Sequence, residues 1–358
     1  MSPQERSPFL TQGLPADPQD ARRTNRTLVL RSIITRGPAS RAEIARRTGL
    51  SRPTVSVIAA ELITTGLLME GERISSGGAP GTLLEMAKST GVTIAVDLRR
   101  RDAIRIAAVA ANGEIVSQAE TSAATTDEVI DLIREFSAEV DRTATIGVAL
   151  GVPGWVNAAG DWVRRADNDL DPAMQGQLRR MMRMPVFALN STDALAIADL
   201  RDSPPNLTAQ ATVAMAEEVS AGLIIDGRLR SGRNRPVGEI GHLVPCLGQP
   251  GSSCSVCGQP CLGAYVLPLR ADQSEAMQRS AAGALAAVMA PITSAVEIAE
   301  IVLSGFPTAA SDSMADFTAT AMNDRMPAEQ VPAVRVSAQG EDAVVLGAAA
   351  LMLYQRLG

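Results

Sequence analysis

The single histidine of this 358-residue chain and all four of its cysteines lie between His242 and Cys261. The run reads Gly-Glu-Ile-Gly-His242, then Cys246, then Cys254-Ser-Val-Cys257-Gly-Gln-Pro-Cys261. Imidazole and thiolate are the ligands that tetrahedral zinc prefers. The Cys-x2-Cys-x3-Cys spacing suits one ion gripped by a tight loop. We expect zinc on His242, Cys254, Cys257 and Cys261, with Cys246 able to replace one of them. A loop of free thiols and a disulfide pair are the other readings of the same residues. No secretory signal opens the chain, so a cytoplasmic location is expected and structural disulfides are not.

The rest of the chain must position this loop. Its length allows two or three domains. At 46% hydrophobic and 20% charged it has an ordinary globular balance. No apolar stretch approaches the ~20 residues that span a bilayer, so no membrane partner is expected. Lys88 is the only lysine. Genomic base composition explains that bias as well as phosphate recognition does. Charge is divided unevenly. Residues 22–73 hold ten arginines against Glu43, Glu61, Glu70 and Glu72, while the whole chain carries −6. A basic head on an acidic body is the pattern of a DNA-reading domain fused to another module.

Residues 1–21 have no apolar period and read as a flexible tail. Residues 22–88 read as a winged helix-turn-helix. Leu28, Leu30, Ile33 and Ile34 recur at helical spacing up to Gly37-Pro38. Ser40 caps a second helix, with Glu43 completing a capping box and Ala42, Ile44 and Ala45 apolar. Thr48-Gly49-Leu50 makes the turn. Ser51 caps a third helix, whose Val55, Ile58 and Leu62 face the core. Gly66 stops it, and Leu67-Leu68-Met69-Glu70 is a strand. The third helix would enter the major groove of double-stranded operator DNA, presenting Ser51, Arg52, Thr54, Ser56 and Val57. Arg41, Arg46 and Arg47 would meet phosphates. A three-helix bundle for protein contact is the competing reading.

Ser75 to Gly81 is the wing tip or the hinge into the body. The body opens with Val92-Thr-Ile-Ala-Val-Asp97. Strands at 105–110 and 114–118 follow, with Asn112-Gly113 as their turn. A helix over Thr126–Val140 and a strand from Ile146 to Pro153-Gly154 complete an α/β order, and a similar alternation restarts at Thr212. We expect two lobes, 89–200 and 201–358, with a cleft between them and the zinc loop at 238–263.

The head, Gly-Val-Pro153-Gly154, Pro185-Val-Phe-Ala-Leu-Asn190, and Gly238-Glu-Ile-Gly-His242 with its cysteines together resemble the ROK family of repressors and sugar kinases. The resemblance runs from about Thr24 to the C-terminus. It implies an α/β body of the two-lobed actin-like, hexokinase-like (ribonuclease H-like) fold. It also implies a zinc site beside a sugar cleft, homodimers or tetramers, and transcriptional control where a helix-turn-helix is present. Asn190, Glu239 and His242 match positions that contact a sugar or hold that wall of the cleft. For Glu239 and His242 a purely structural role, as zinc ligand and loop anchor, explains the residues equally well.

The departures are as informative. The family's Asp-x-Gly-Gly-Thr loop is Asp97-Leu98-Arg99-Arg100-Arg101 here. Its second, glycine-rich phosphate loop is Ala216-Glu217-Glu218-Val219-Ser220-Ala221-Gly222, and a late Gly-Gly is Ser304-Gly305. Glycines that let amides approach phosphate are lost, and carboxylates stand where a triphosphate would sit. The family's general base is Ser191, with Asp193 misplaced by two residues. Cys261-Leu262-Gly263 lacks a sugar-binding Glu, and the middle cysteine of the zinc loop is shifted by one. We therefore expect a DNA-binding regulator, a repressor, whose body senses a sugar or other small effector and oligomerises without phosphotransfer. The alternative is an ATP-dependent sugar kinase that kept a DNA-binding head.

Overall fold

The computed structural model describes residues 18–74, 81–100, 102–141, 144–157, 159–163, 170–215, 218–230, 232, 237–247, 253–254, 257–270, 274–305 and 308–357. The head comprises α1 (Pro18–Arg36), β1 (Ala39–Ser40), α2 (Arg41–Thr48), α3 (Arg52–Thr64), β2 (Leu68–Ile74) and β3 (Gly81–Met86). α1 starts earlier than the apolar period suggests, so the end of the expected 1–21 tail is helical. Proline is tolerated in a first helical turn, and Pro18 stands there. Residues 1–17 lie outside the described residues.

Ser40 accepts a hydrogen bond from Glu43 N at 3.2 Å, and Ser51 accepts one from Thr54 N at 3.2 Å, so both expected N-caps are present. The capping box is only half formed, because the Glu43 carboxylate binds Arg46 and Arg47. Gly49 takes φ 71° at the turn, in the left-handed region that favours glycine. Val55, Ile58 and Leu62 pack with Leu30, Ile33 and Ile44 in one core. β2 and β3 pair from Leu68↔Met86 to Ile74↔Gly81. The chain passes into the body after Met86, through residues 87–91. Residues 75–80, the expected wing tip with Gly78-Ala79-Pro80, lie outside the described residues.

The first lobe comprises β4 (Val92–Asp97), β5 (Ile104–Ala110), β6 (Ile115–Thr121), α4 (Thr126–Glu139), β7 (Thr145–Val152), β8 (Trp155–Val156), β9 (Trp162–Val163), α5 (Ala173–Met182), β10 (Val186–Asn190) and α6 (Ser191–Asp199). Its sheet runs β10-β7-β4-β5-β6, with β4, β7 and β10 parallel and β4-β5-β6 antiparallel. The second lobe comprises β11 (Ala209–Met215), β12 (Val219–Ile225), β13 (Arg228–Leu229), α7 (Leu262–Val266), α8 (Glu275–Val296), β14 (Glu300–Ser304), α9 (Thr308–Asn323), β15 (Ala333–Val336) and α10 (Ala343–Leu357). Its order, β13-β12-β11-β14-β15, repeats the first: three antiparallel strands, then two parallel ones.

Two features depart from the sequence reading. α10, assigned to the second lobe, packs its Val344, Val345 and Ala348 with Ala95, Ala149 and Ala194 of the first. A Cβ at Gly347 would fall 1.9 Å from Ala194 O, so only glycine lets α10 cross α6 this closely. α8 is long and apolar enough, by composition, to cross a bilayer, although no such stretch was expected. Its many alanines give that score, and Leu285, Met289 and Ala282 lie in the second-lobe core instead.

Candidate DNA face, cleft and metal cluster

The solvent face of α3 is built as its periodicity requires. Ser51, Arg52, Ser56 and Val57 are exposed, Val57 by 63%, and Thr54 is half-buried with its hydroxyl 2.8 Å from that of Ser51. Arg52 has no partner among the described residues. The expected phosphate contacts differ from it. Arg41 pairs with Glu70 at 2.8 Å, while Arg46 and Arg47 both bind Glu43. Both Arg46 and Arg47 line a gap between head and body, where the Arg46 side chain is 69% exposed and that of Arg47 only 15%. Of the three, the Arg47 side chain is the least accessible to a phosphate. Arg73, exposed on β2 without a partner among the described residues, was missed. A basic residue on the strand leading to a wing tip was the available signal.

The cleft begins where β10 meets α6. The Asn190 side chain accepts from Thr192 N at 2.7 Å and donates to Gly154 O, capping α6 and tying down the Gly-Pro loop. Its hydrogen-bonding capacity is largely used in holding the fold. Ser191 is buried, its hydroxyl without a partner. Asp193, two residues on, lines the cleft with Trp155, Asn190, Arg230 and Glu239, in a space of only about 20 Å³. The Trp155 indole N–H is buried there without a partner. The α6 helical spacing turns Asp193 into the cleft and Ser191 away from it, which residue-by-residue matching of the motif overlooked. His242 does not line this space.

Burial pushes the Asp193 carboxyl up to about 7 from an ordinary 3.8. Arg23, Arg31 and Arg228 line the larger cavity on its other side, and Arg230 and Glu239 the small space. An acid with a raised folded pKa binds its proton more tightly folded than unfolded. Its cost to stability is therefore absent below about pH 4, grows through about pH 7, and is constant above that. Asp193→Asn should raise the denaturation midpoint above pH 7 and leave it near wild type at pH 4. Equal midpoints for the two proteins across that range would show that Asp193 does not titrate this way.

At the first phosphate-loop position, Asp97 is buried and occupied by its neighbour. Arg99 donates from Nε and Nη2 to its Oδ2 at 2.9 and 2.7 Å, and from its backbone N to Oδ1 at 3.0 Å. Arg100 pairs with Asp102. Ala216 and Glu217 of the second loop, and Arg101, lie outside the described residues. The flanking strands pair Met215↔Val219, so that connection is short. Gly305 takes φ 93° at the end of β14.

The metal cluster is assembled by backbone contacts. A Cβ at Gly238 would fall 1.7 Å from Ala221 O, and one at Gly241 2.5 Å from Val219 O. The glycines let the chain lie flat on β12, where Ala221 N donates to Gly238 O at 2.8 Å. Leu262 N donates to Leu243 O and Gly263 N to Gly241 O, each at 2.8 Å, fastening the start of α7 beside His242. The ligand atoms of His242, Cys254, Cys257 and Cys261 all lie within 4.8 Å of one another. Cys254 and Cys261 Sγ are 4.0 and 3.8 Å from His242 Nδ1. Zinc bonds of about 2.0–2.3 Å at tetrahedral angles imply ligand separations of about 3.4–3.8 Å, so the set fits one such ion after slight contraction. Cys246 is exposed and outside the cluster. None of the four thiols is in a disulfide.

Residues 93–267 match the model of the ROK family, and residues 20–78 that of the MarR family. Over 250 residues the chain is 26% identical to the xylose repressor of Bacillus subtilis (strain 168), a match covering 67% of this chain and 65% of that protein. The chain thus spans about 65% of the length of that curated relative. Its fold is similar to that of a ROK family transcriptional regulator that is a homologue of the E. coli MLC protein. There the TM-score is 0.66 at 18% identity, covering 94% of this chain and 98% of that one. It is also similar to a ROK family glucokinase from Streptomyces griseus in complex with glucose and AMPPNP, with TM-score 0.60, 20% identity, and coverage of 73% and 99%. At these identities the two structures speak to the fold alone, the regulator's over 94% of this chain and the glucokinase's over 73%.

Proposed function

As a ROK-family body carried behind a MarR-type winged helix, this chain is, we propose, a DNA-binding transcriptional repressor whose body senses a small molecule. One observation carries the reading: the exposed start of α3, with Ser51, Arg52, Ser56 and Val57 outward and Arg73 on the adjacent strand. Arginine and hydroxyls can bond base edges, and a valine methyl can meet thymine. The resemblance to a xylose repressor supports it. We assign residues 22–88 to DNA binding and the rest to effector sensing and assembly as a homodimer or tetramer. A symmetric pair of such heads would read a palindromic site. Selection of bound duplexes from a random pool with the full chain tests this. Enrichment of one palindrome supports it, and an unenriched pool overturns it.

The cluster of His242, Cys254, Cys257 and Cys261 would hold zinc, which would stitch the 238–263 loop to α7 as a structural ion. Its four protein ligands leave no open coordination position. In the body, Asn190, Glu239 and Asp193 line the space for a small polar ligand, with the Trp155 N–H as an available donor.

Phosphotransfer is not part of the proposed function. Asp97 is held by Arg99, and Ser191 is buried away from the cleft. Incubation with ATP and a hexose should release no ADP above spontaneous hydrolysis. Ser191→Asp alone should not change that, because positioning and charge stabilisation dominate phosphoryl transfer. Sugar-dependent ADP release by the unmodified chain would favour the sugar-kinase alternative.

A further inference from the structure

A second cavity, of about 520 Å³, lies between the head and the body. Pockets of about 300–1,000 Å³ are the usual size for small-molecule sites. Three structural units contribute to its wall. Thr24, Thr27 and Arg31 come from α1, Asn190 and Asp193 from the start of the first-lobe helix α6, and Arg228 from the second-lobe hairpin β12–β13. Tyr354 of α10 also lines it. This space is distinct from the 20 Å³ gap at Trp155, Arg230 and Glu239, although Asn190 and Asp193 touch both.

Its charge is unbalanced. The Arg31 guanidinium lies against the Asp226–Arg228 turn: a Cβ at Gly227 would be 3.9 Å from its Nη2. Burial lowers its pKa, Tyr354 partly offsets that, and the charge of Arg228 lowers it further. Among the described residues neither Arg31 nor Arg228 forms a salt bridge. Among the described residues the only acid lining the cavity is Asp193. Arg23, Arg31 and Arg228 thus outnumber the single acid on this cavity, and an excess of arginine is the arrangement that recognises a phosphate or carboxylate. The remaining polar lining, Asn157, Asn190, Asp193 and the threonines, suits hydroxyl groups.

We propose that this cavity is an effector site for a small polyhydroxylated anion, a sugar phosphate or a sugar acid, with its anionic group on Arg31 and Arg228 and its hydroxyls towards Asp193 and Asn190. The ligand touches α1 directly, so its occupancy bears on the head's position. α1 is also held to the body by Arg26, which donates to Leu357 O of α10 at 3.3 Å, and by Arg36, which donates to Ser203 O and Pro204 O just beyond α6, at 3.4 and 2.9 Å. A ligand can shift the head only by binding one head position better than another. This last step rests on the repressor reading; the binding step does not.

The binding test uses the full chain without DNA. Melting curves and calorimetry are recorded with glucose 6-phosphate, ribose 5-phosphate, gluconate, glucose and inorganic phosphate at matched ionic strength. Saturable stabilisation by a sugar phosphate or by gluconate, at least tenfold stronger than by glucose or phosphate, is expected. The better of the two anions identifies the source. Arg228→Ala is exposed on a turn and should fold normally, while losing at least tenfold in affinity. Stabilisation by none of the anions, by phosphate as well as by the sugar anions, or unchanged in Arg228→Ala overturns the site. Titration of the bound form against the selected duplex then reads the coupling. Failure to select any duplex sinks the repressor reading and leaves the binding result standing.

Discussion

Cys261→Ser should release the metal entirely and loosen the 238–263 loop. Cys261 is fully buried at the N-cap of α7, and its neighbour Leu262 hydrogen-bonds back to Leu243 beside His242. Metal binding and local folding are coupled in such sites, with apparent free energies of about 10–16 kcal/mol in isolated zinc peptides. Only part of that appears in a loop also held by Gly238 and Gly241 on β12. Elemental analysis should give one zinc per wild-type chain and none in the variant. Proteolysis should then cut first within 238–263. Cys246→Ser, outside the cluster, should keep the full equivalent. Untreated wild-type protein with four freely titratable thiols and no metal would remove the zinc assignment.

Arg52→Ala should weaken specific DNA binding by about 1–3 kcal/mol, roughly 5- to 150-fold, if this side chain reads a base edge. In a dimer the loss applies at each half-site. Its neighbours make it the sharpest test: Arg41, Arg46 and Arg47 are already held by Glu70 and Glu43, whereas Arg52 is exposed and unpaired among the described residues. A base contact lowers affinity for the selected site and flattens preference at one position. A phosphate contact lowers affinity on all duplexes alike and reduces the log–log salt slope by about 0.9 per contact. Arg47→Ala, turned towards the head–body gap, should change DNA affinity far less than Arg52→Ala. Equal losses for the two variants would show that the head meets DNA by another face.

The sequence by itself determined what depends on neighbours along the chain. Ser40 and Ser51 as caps, Gly49 in the left-handed turn, and the buried face of Val55, Ile58 and Leu62 follow from helical period and local hydrogen bonding. Rare ligand types clustered at 242–261 pointed to His242, Cys254, Cys257 and Cys261, whose ligand atoms the fold brings within 4.8 Å of one another. The α/β order of the first lobe was legible from neighbours along the chain, whereas for the second only a restart of the alternation at Thr212 could be read. Side-chain destinations across long separations were not. The low exposure of Arg47 beside Glu43 is not legible from its place in a basic run, and Arg99 reads as a loop residue until it folds onto Asp97. Matching the motif position by position singled out Ser191, whereas the pitch of α6 puts Asp193 in the cleft. The return of α10 to the first lobe depends on a glycine at 347 meeting Ala194, a contact spanning more than 150 residues. The cavity between α1, α6 and the β12–β13 hairpin exists only once those three segments meet. Its unbalanced arginines are therefore a property of the tertiary structure, since no spacing rule relates residues 31, 193 and 228.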